Sequence, residues 1–226
     1  MRAIVLTGGP AGSSHDFRAT TARLSDLLAD AGARVEVHTG VEEAFAALPG
    51  ATLLVVNALR WTMREPEHYR GRADVDGVSP SDASRAALTA HLASGSGVLA
   101  IHTAVLCFDD WPEWGDALGG AWVWGRSHHP PLGPPVDVRV EGPHPLTDGV
   151  GGFRLVDEVY SDVDTAPEVV PLLTAGGQPM LWAREHGGGR VVYDALGHHP
   201  PSYEVPEHRE ILRRAIEWLT GGRRGA

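Results

Sequence analysis

Short apolar runs alternate with segments of helical periodicity along the first half of the chain. Residues 3–7, 52–56 and Gly97–Ile101 are apolar almost throughout, and each run is followed by glycine or by a polar residue. Residues 17–31 place leucines at helical spacing, and Ser81 begins a second helical segment. Fully apolar strands that alternate with helices are typical of a parallel sheet with helices on both faces.

The second half of the chain changes to shorter apolar segments separated by turns. Strand-like segments are found at Val136–Val140, 154–156, 169–173, 180–184 and 190–193. Several are expected to be antiparallel additions, and a helix over residues 207–219 follows them. The whole pattern predicts an α/β fold of the flavodoxin-like type. This is a three-layer sandwich with a mostly parallel central sheet and extra antiparallel strands in the second half.

The chain length of 226 residues suits one well-buried core. We expect a single domain over residues 1–221, followed by a polar tail at 222–226. The stretch 59–79 is polar and irregular, and loops of that length in compact domains are usually functional or mobile.

Charge and cysteine usage exclude several classes of protein. The formal net charge is -10, and all 19 basic residues are arginine. An acidic surface repels phosphate backbones, so nucleic-acid binding is not expected. Without lysine, neither a Walker-A phosphate loop nor a Schiff-base mechanism is available. Cys107 is the single cysteine, which suits a reducing compartment. No apolar run approaches the roughly 20 residues that cross a bilayer, so we expect a cytoplasmic protein without a membrane partner.

Polar and imidazole side chains follow the ends of the predicted parallel strands. They are His15, Asn57, Trp61, His102 and His198. In open parallel sheets, ligands bind outside the carboxyl ends of the strands, near the point where the strand order reverses. For one histidine alone, a helix cap or a filled polar gap is the more common role. The set as a whole favours a shared site.

Two further segments add aromatic and carboxylate groups. Trp124, His128 and His129 lie close together in sequence, and aromatic faces beside hydrogen-bonding groups suit sugar rings. The alternative is that one tryptophan belongs to the core and another covers it. Glu158 and Tyr160 follow a strand pattern, where the carboxylate could orient an imidazole or act as a base. It could equally belong to a solvated acidic pair.

A series of short motifs extends over most of the chain. In order they are IHTA at 101–104, DWP at 110–112, LGG at 118–120, HP at 129–130, HPLT at 144–147, DEVY at 157–160, GGRVVY at 188–193 and LGH at 196–198. Together they resemble the ThuA-like trehalose-utilisation family of the class I glutamine amidotransferase-like superfamily. The resemblance implies the amidotransferase fold without its chemistry, because His102 stands at the sharp turn where those enzymes carry the nucleophilic cysteine. Cys107 lies farther along in an apolar segment and is expected to be inert packing.

The resemblance also implies a role in the catabolism of trehalose or oxidised sugars. The leading hypothesis is an enzyme that acts on a sugar or keto-sugar by hydrolysis, elimination or isomerisation. His102 and His198 would be the proton-transfer pair, and Glu158 would orient one of them or act as a second acid or base. The expected substrate-binding residues are His15, Asn57, Trp61, Trp124, His128, His129 and Tyr160.

A variant of this hypothesis uses a divalent metal ion such as zinc. Its candidate ligands are His15, His102, His129 and His198, together with Glu158, but no compact spacing such as H-E-x-x-H supports them. The runner-up function is a non-catalytic sugar-binding or regulatory protein, and a third is an interaction module within a sugar-catabolic assembly. The expected partner is a small sugar or sugar derivative, and association into a homo-oligomer stays open.

Overall fold

The structure, a computed structural model, describes residues 1–221 of the chain, so the expected polar tail at 222–226 lies outside the described residues. The strands of the described part are Arg2–Gly8 (β1), Arg34–His38 (β2), Leu53–Ala58 (β3), Gly97–Ile101 (β4), Gly120–Ala121 (β5), Val136–Val140 (β6), Phe153–Leu155 (β7), Asp164–Thr165 (β8), Leu173–Ala175 (β9), Gln178–His186 (β10) and Gly189–Asp194 (β11).

Helices connect and cover these strands. The α-helices are Phe17–Asp30 (α1), Val41–Ala46 (α2), Ala73–Asp76 (α3), Asp82–Ala93 (α4), Pro112–Leu118 (α5) and Pro206–Thr220 (α6), with 3₁₀ helices at Glu67–Arg72, His102–Leu106 and Pro200–Glu204. As predicted, Ser81 caps α4, and its side chain accepts a hydrogen bond from the Ser84 amide. Over residues 1–221, no helix has both the length and the hydrophobicity that crossing a bilayer requires.

One mixed sheet carries nine of the strands described above, in the order β2-β1-β3-β4-β11-β10-β9-β6-β7. The strands from β2 to β11 in this order are parallel. The pairs from β11 to β7 are antiparallel. The predicted α/β fold, with parallel strands first and antiparallel additions later, is therefore confirmed.

The centre of the sheet is built from the three apolar runs of the sequence. Val5 lies opposite Val55, and Val55 lies opposite Leu99, and none of these side chains is exposed. Helices α1 and α6 contact each other over one face of the sheet, whereas α2 and α4 contact each other over the opposite face. Right-handed crossovers that run in opposite directions from the centre of the sheet produce this arrangement.

Two segments differ from the sequence prediction. The pattern at 169–173 predicts a strand, but β9 begins only at Leu173. Pro171 has no N–H to donate to a neighbouring strand, and Val170 is 70% exposed, so this stretch has neither pairing nor burial to hold it as a strand. The stretch 59–79 is partly helical and contains both Glu67–Arg72 and α3.

A fully buried ion pair joins the end of β11 to α6. His208 Nε2 lies 2.9 Å from Asp194 Oδ2, and neither side chain is exposed. His208 Nδ1 donates to the Ser202 carbonyl at 2.8 Å. Burial lowers the pKa of His208, but the charge and hydrogen bond of Asp194 outweigh burial, and the net shift is upwards. The charged pair therefore fixes α6 to the sheet next to the β11 turn.

We expect His208→Gln to destabilise the fold by about 3–5 kcal/mol, because it leaves the Asp194 carboxylate buried without a counter-charge. A raised folded-state pKa means that protonated His208 stabilises the fold fully below its unfolded pKa of about 6.5. That contribution is lost as the pH rises through the higher folded pKa. The difference in unfolding free energy between wild type and His208→Gln, measured in urea from pH 6 upwards, should therefore shrink. A difference that is constant with pH would contradict the charged pair.

Candidate functional site

The carboxyl ends of the parallel strands open into a cavity of about 330 Å³, which we call the cleft. Three tryptophans line it together with Tyr69, namely Trp61, Trp122 and Trp124. His15, His129 and Tyr160 line it as well, and they connect it to a group of buried titratable side chains. The cleft thus combines aromatic surface with imidazole and hydroxyl groups.

The turn after β4 places His102 directly behind the wall of the cleft, where its ring contacts Tyr160 and His15. His102 directly follows β4 and has a left-handed backbone with a φ of 49°. This conformation is uncommon outside glycine, and such strain is concentrated at functional sites. Nδ1 donates to the Ala195 carbonyl at 2.6 Å, because a carbonyl can only accept. In the neutral ring, Nε2 then carries a lone pair, which accepts from the Tyr160 hydroxyl at 3.0 Å.

The turn after β11 places His198 beside His102. Gly197 precedes it with a φ of 104°, and a Cβ there would meet the Tyr203 hydroxyl at 2.6 Å, so only glycine fits. The buried carboxylate of Asp157 accepts from the backbone N–H groups of Gly197 at 2.8 Å and His198 at 3.2 Å. It also accepts from the Ser202 hydroxyl at 2.5 Å. Asp157 therefore holds the backbone that positions His198.

Four side chains, His15, His102, Glu158 and His198, form what we call the His–Glu cluster, in which one ligand atom from each lies within 4.8 Å of the others. His102 Nε2 and His198 Nδ1 are 3.3 Å apart. Glu158 Oε2 lies 3.4 Å from His102 Nε2 and 3.3 Å from His198 Nδ1. On the other carboxylate oxygen, Oε1, His129 Nδ1 approaches to 3.3 Å. Imidazole and carboxylate groups at these distances can transfer protons or bind a divalent metal ion.

Burial and mutual contact control the charges in the cluster. Burial, followed by the neighbouring His102 and His198, lowers the pKa of His15 to about 3. Burial alone would raise the pKa of Glu158, but the close contacts with His102 and His198 outweigh it, and the pKa falls far below its usual range. The same contacts raise the pKa of His198 in spite of its burial. The cluster therefore contains an ionised carboxylate with little access to water.

Two of the expected substrate-binding residues are not in the cleft. Asn57 is buried at the end of β3, and its amide donates to the hydroxyls of Thr20 and Thr21, each at 2.9 Å, so it anchors α1 to the sheet. The His128 ring points to the surface, with 63% of the side chain exposed. The His129 side chain is 39% exposed, but its Nδ1 lies 3.3 Å from Glu158 Oε1, so this ring contacts the buried carboxylate.

Cys107 lies outside the turn that carries His102. Its thiol donates to the Ala58 carbonyl at 3.1 Å and accepts from the Arg60 amide at 3.3 Å. Burial raises the pKa of this thiol to about 12. A thiol that stays protonated and buried is a packing group and cannot act as a nucleophile at neutral pH.

The sequence alone does not identify several residues of the site. From the sequence, Asp157 is one of two neighbouring carboxylates that could orient an imidazole, act as a base or form a solvated acidic pair. In the structure it binds the backbone of the β11 turn. Trp122 and Tyr69 line the cleft without belonging to the predicted substrate-binding set. Ser13 contacts His15 Nδ1 at 3.0 Å, which turns Nε2 of that ring towards the cluster. The DEVY motif was the available indication for Asp157, but it does not distinguish the roles of its two carboxylates.

Comparison with known proteins assigns the family. The ThuA family, described as trehalose utilisation, matches residues 2–219. The chain therefore belongs to the ThuA family, and this membership implies a role in trehalose utilisation. No curated protein matches the chain in sequence.

Solved structures support the same fold at low sequence identity. A ThuA-like protein from Parabacteroides merdae is 17% identical, with a TM-score of 0.76 over 98% of this chain and 90% of that one. One from Bacteroides uniformis is 17% identical, with a TM-score of 0.70 over 97% and 91%. A β-galactosidase from Rahnella is 16% identical, with a TM-score of 0.64 over 96% of this chain and 31% of that one. At these identities the likeness establishes the fold alone.

We expect Asp157→Asn to lower the free energy of unfolding by about 2–3 kcal/mol, because hydrogen bonds to a buried charge are lost and the new amide turns an N–H group towards backbone donors. Chemical denaturation in urea measures this loss. Asp162→Asn, at a side chain that is 55% exposed, is the matched control and should be close to wild type. Equal stability of the two variants would contradict the anchoring role of Asp157.

Proposed function

We propose that this protein is an enzyme of trehalose utilisation that acts on a sugar or an oxidised sugar derivative bound in the cleft. The reaction is a hydrolysis, elimination or isomerisation at the His–Glu cluster. One observation carries the proposal: the turns after β4 and β11 bring His102 and His198 within 3.3 Å of each other, beside the buried carboxylate of Glu158. A protein that only binds sugar needs no such group beneath its binding surface.

The lining of the cleft fits a sugar in both shape and polarity. Trp61 and Trp124 lie with ring centroids 6.1 Å apart, and Trp122 contacts Trp124 at the same spacing. Indole faces complement the apolar C–H faces of a pyranose ring. His15 and His129 also line the cleft and offer hydrogen bonds to hydroxyl groups at the ring edge. The family's description as trehalose utilisation points to the same class of ligand.

The cluster supplies the reacting groups. His102 is held in one tautomer by the Ala195 carbonyl, with its Nε2 lone pair facing His198 and Glu158. Tyr160 contributes a buried hydroxyl at 3.0 Å from the same nitrogen. The Asp157 anchor keeps His198 in position without using its ring. Because these groups are already in position, they need little rearrangement when the substrate binds. Such preorganisation lowers the activation free energy of the reaction.

Amidotransferase chemistry does not fit this site. The position of the nucleophile in that chemistry, the sharp turn after the central strand, is occupied by His102 with its left-handed backbone. The cysteine of the described chain is buried beneath the Ala58 carbonyl. The proposal therefore assigns the reaction to the imidazole and carboxylate groups.

We expect His102→Asn and His198→Asn to lower turnover by about 10²- to 10⁴-fold. Asparagine tolerates the left-handed backbone of residue 102, so the turn should persist, and circular dichroism and thermal unfolding check that it does. Cys107→Ala is the control and should keep wild-type turnover. The assay follows product formation from trehalose, other disaccharides and their keto derivatives. Sugar binding by the wild type without any turnover would instead identify a non-catalytic sugar-binding protein.

A further inference from the structure

Three atoms of the His–Glu cluster form a nearly equilateral triangle. The edges are 3.3 Å between His102 Nε2 and His198 Nδ1, 3.3 Å between His198 Nδ1 and Glu158 Oε2, and 3.4 Å between Glu158 Oε2 and His102 Nε2. Nitrogen and oxygen ligands at 2.0–2.2 Å from a tetrahedral ion lie about 3.3–3.6 Å from one another. The triangle therefore has the size of one face of a tetrahedral metal site.

Two of these three atoms, His102 Nε2 and Glu158 Oε2, have lone pairs that can bind a metal ion. Donation from His102 Nδ1 to the Ala195 carbonyl leaves Nε2 as the acceptor nitrogen of the neutral ring. A backbone carbonyl bonded to the second ring nitrogen is the usual support of a metal-binding histidine. Glu158 Oε2 is buried, and its imidazole neighbours at 3.3 and 3.4 Å make no aligned hydrogen bond to it. An unpartnered carboxylate oxygen is costly in such a place unless a cation meets it.

We propose that His102, His198 and Glu158 bind a divalent transition-metal ion, for which Zn²⁺ is the best match. Two imidazoles and one carboxylate are a known catalytic ligand set for zinc, with the fourth position left for water or substrate. The backbone anchor of Asp157 at His198 acts as the outer support of this set. The charge of the ion would also balance the buried carboxylate.

The fourth position faces the cleft and two further side chains. His15 lines the cleft, and its Nε2 is buried without a hydrogen-bond partner. Tyr160 now donates to His102 Nε2, and a metal ion on that nitrogen would free its hydroxyl for an oxygen at the fourth position. We infer that His15 and Tyr160 contact the oxygen atom at the fourth position and are not themselves ligands of the ion. The identity of that oxygen as part of a sugar rests on the proposed function, whereas metal binding itself does not.

Metal binding is tested on the full chain without any substrate. The protein is stripped with chelator, and Zn²⁺ is titrated by calorimetry and by competition with a chromogenic chelator, with bound metal counted by mass spectrometry. We expect one Zn²⁺ per chain and a thermal unfolding temperature that rises with free Zn²⁺. Glu158→Gln, His102→Gln and His198→Gln should each weaken binding by about 100-fold or more, since outer supports alone are worth 10- to 100-fold.

Two controls separate this site from adventitious binding. His128→Gln removes an exposed imidazole and should bind Zn²⁺ as tightly as wild type. His15→Gln should keep the metal, and the Co²⁺-substituted wild type should show the intense visible bands of a tetrahedral ion. Glu158→Gln preserves the shape of the side chain, so the variant should fold. Circular dichroism checks this, and a folded variant that binds no Zn²⁺ has lost only the metal site. Wild type without stoichiometric Zn²⁺, or Glu158→Gln with undiminished affinity, overturns the metal site.

Measurements on the same samples test the metal site and the proposed sugar reaction separately. Turnover by a wild type that binds no stoichiometric Zn²⁺ would reject the metal site and leave the sugar enzyme standing. Stoichiometric Zn²⁺ lost on Glu158→Gln supports the metal site even where no sugar is turned over. Mn²⁺, Fe²⁺ and Ni²⁺ are titrated in parallel, and tighter binding of one of them in an octahedral environment would overturn the assignment to zinc.

Discussion

The parallel pairing of β4 with β11 determines the geometry of the whole site. Ile101 lies opposite Asp194 in this pair, so the two strands end side by side. The first residue beyond β4 is therefore within reach of the first turn beyond β11, and His102 donates to the Ala195 carbonyl. Adjacent strands are about 5 Å apart, which is the distance over which two imidazoles can share a small ligand. The core beneath this pair is apolar and closely packed, so the register cannot slip without exposing it.

The second constraint on the structure is that buried carboxylates need partners. The fold supplies these partners in two different ways. Asp157 is satisfied by backbone N–H groups and the Ser202 hydroxyl, and Asp194 is paired with His208. Glu158 differs, because Oε2 has close imidazole neighbours but no aligned hydrogen bond. The carboxylates of Asp157 and Asp194 are hydrogen-bonded on both oxygens, whereas Glu158 Oε2 is not. For this reason the proposed reaction uses Glu158, and Asp157 supports the backbone beside it.

Much of the fold and part of the site follow from sequence. The apolar runs of β1, β3 and β4 predict their parallel packing, and the ends of such strands predict where His102 and His198 lie. Residue type and strand end do not predict the direction of a side chain, so Asn57 faces α1 while His102 faces Tyr160 and His198. His128 and His129 are adjacent histidines, and the sequence does not show that His129 is the one that contacts Glu158. The role of Asp157 depends on a turn 40 residues away in sequence, which no local pattern contains.

A crystal structure of the protein soaked with trehalose tests the central claim most directly, because it locates the ligand without assuming a reaction. The account predicts ring density in the cleft, against Trp61 and Trp124, with a hydroxyl directed at His15 and the cluster beneath it. A second cavity of about 530 Å³ lies at the other end of the sheet, where Ser94, Ser96 and Arg190 line it. Sugar density in that cavity, with none in the cleft, would contradict the account.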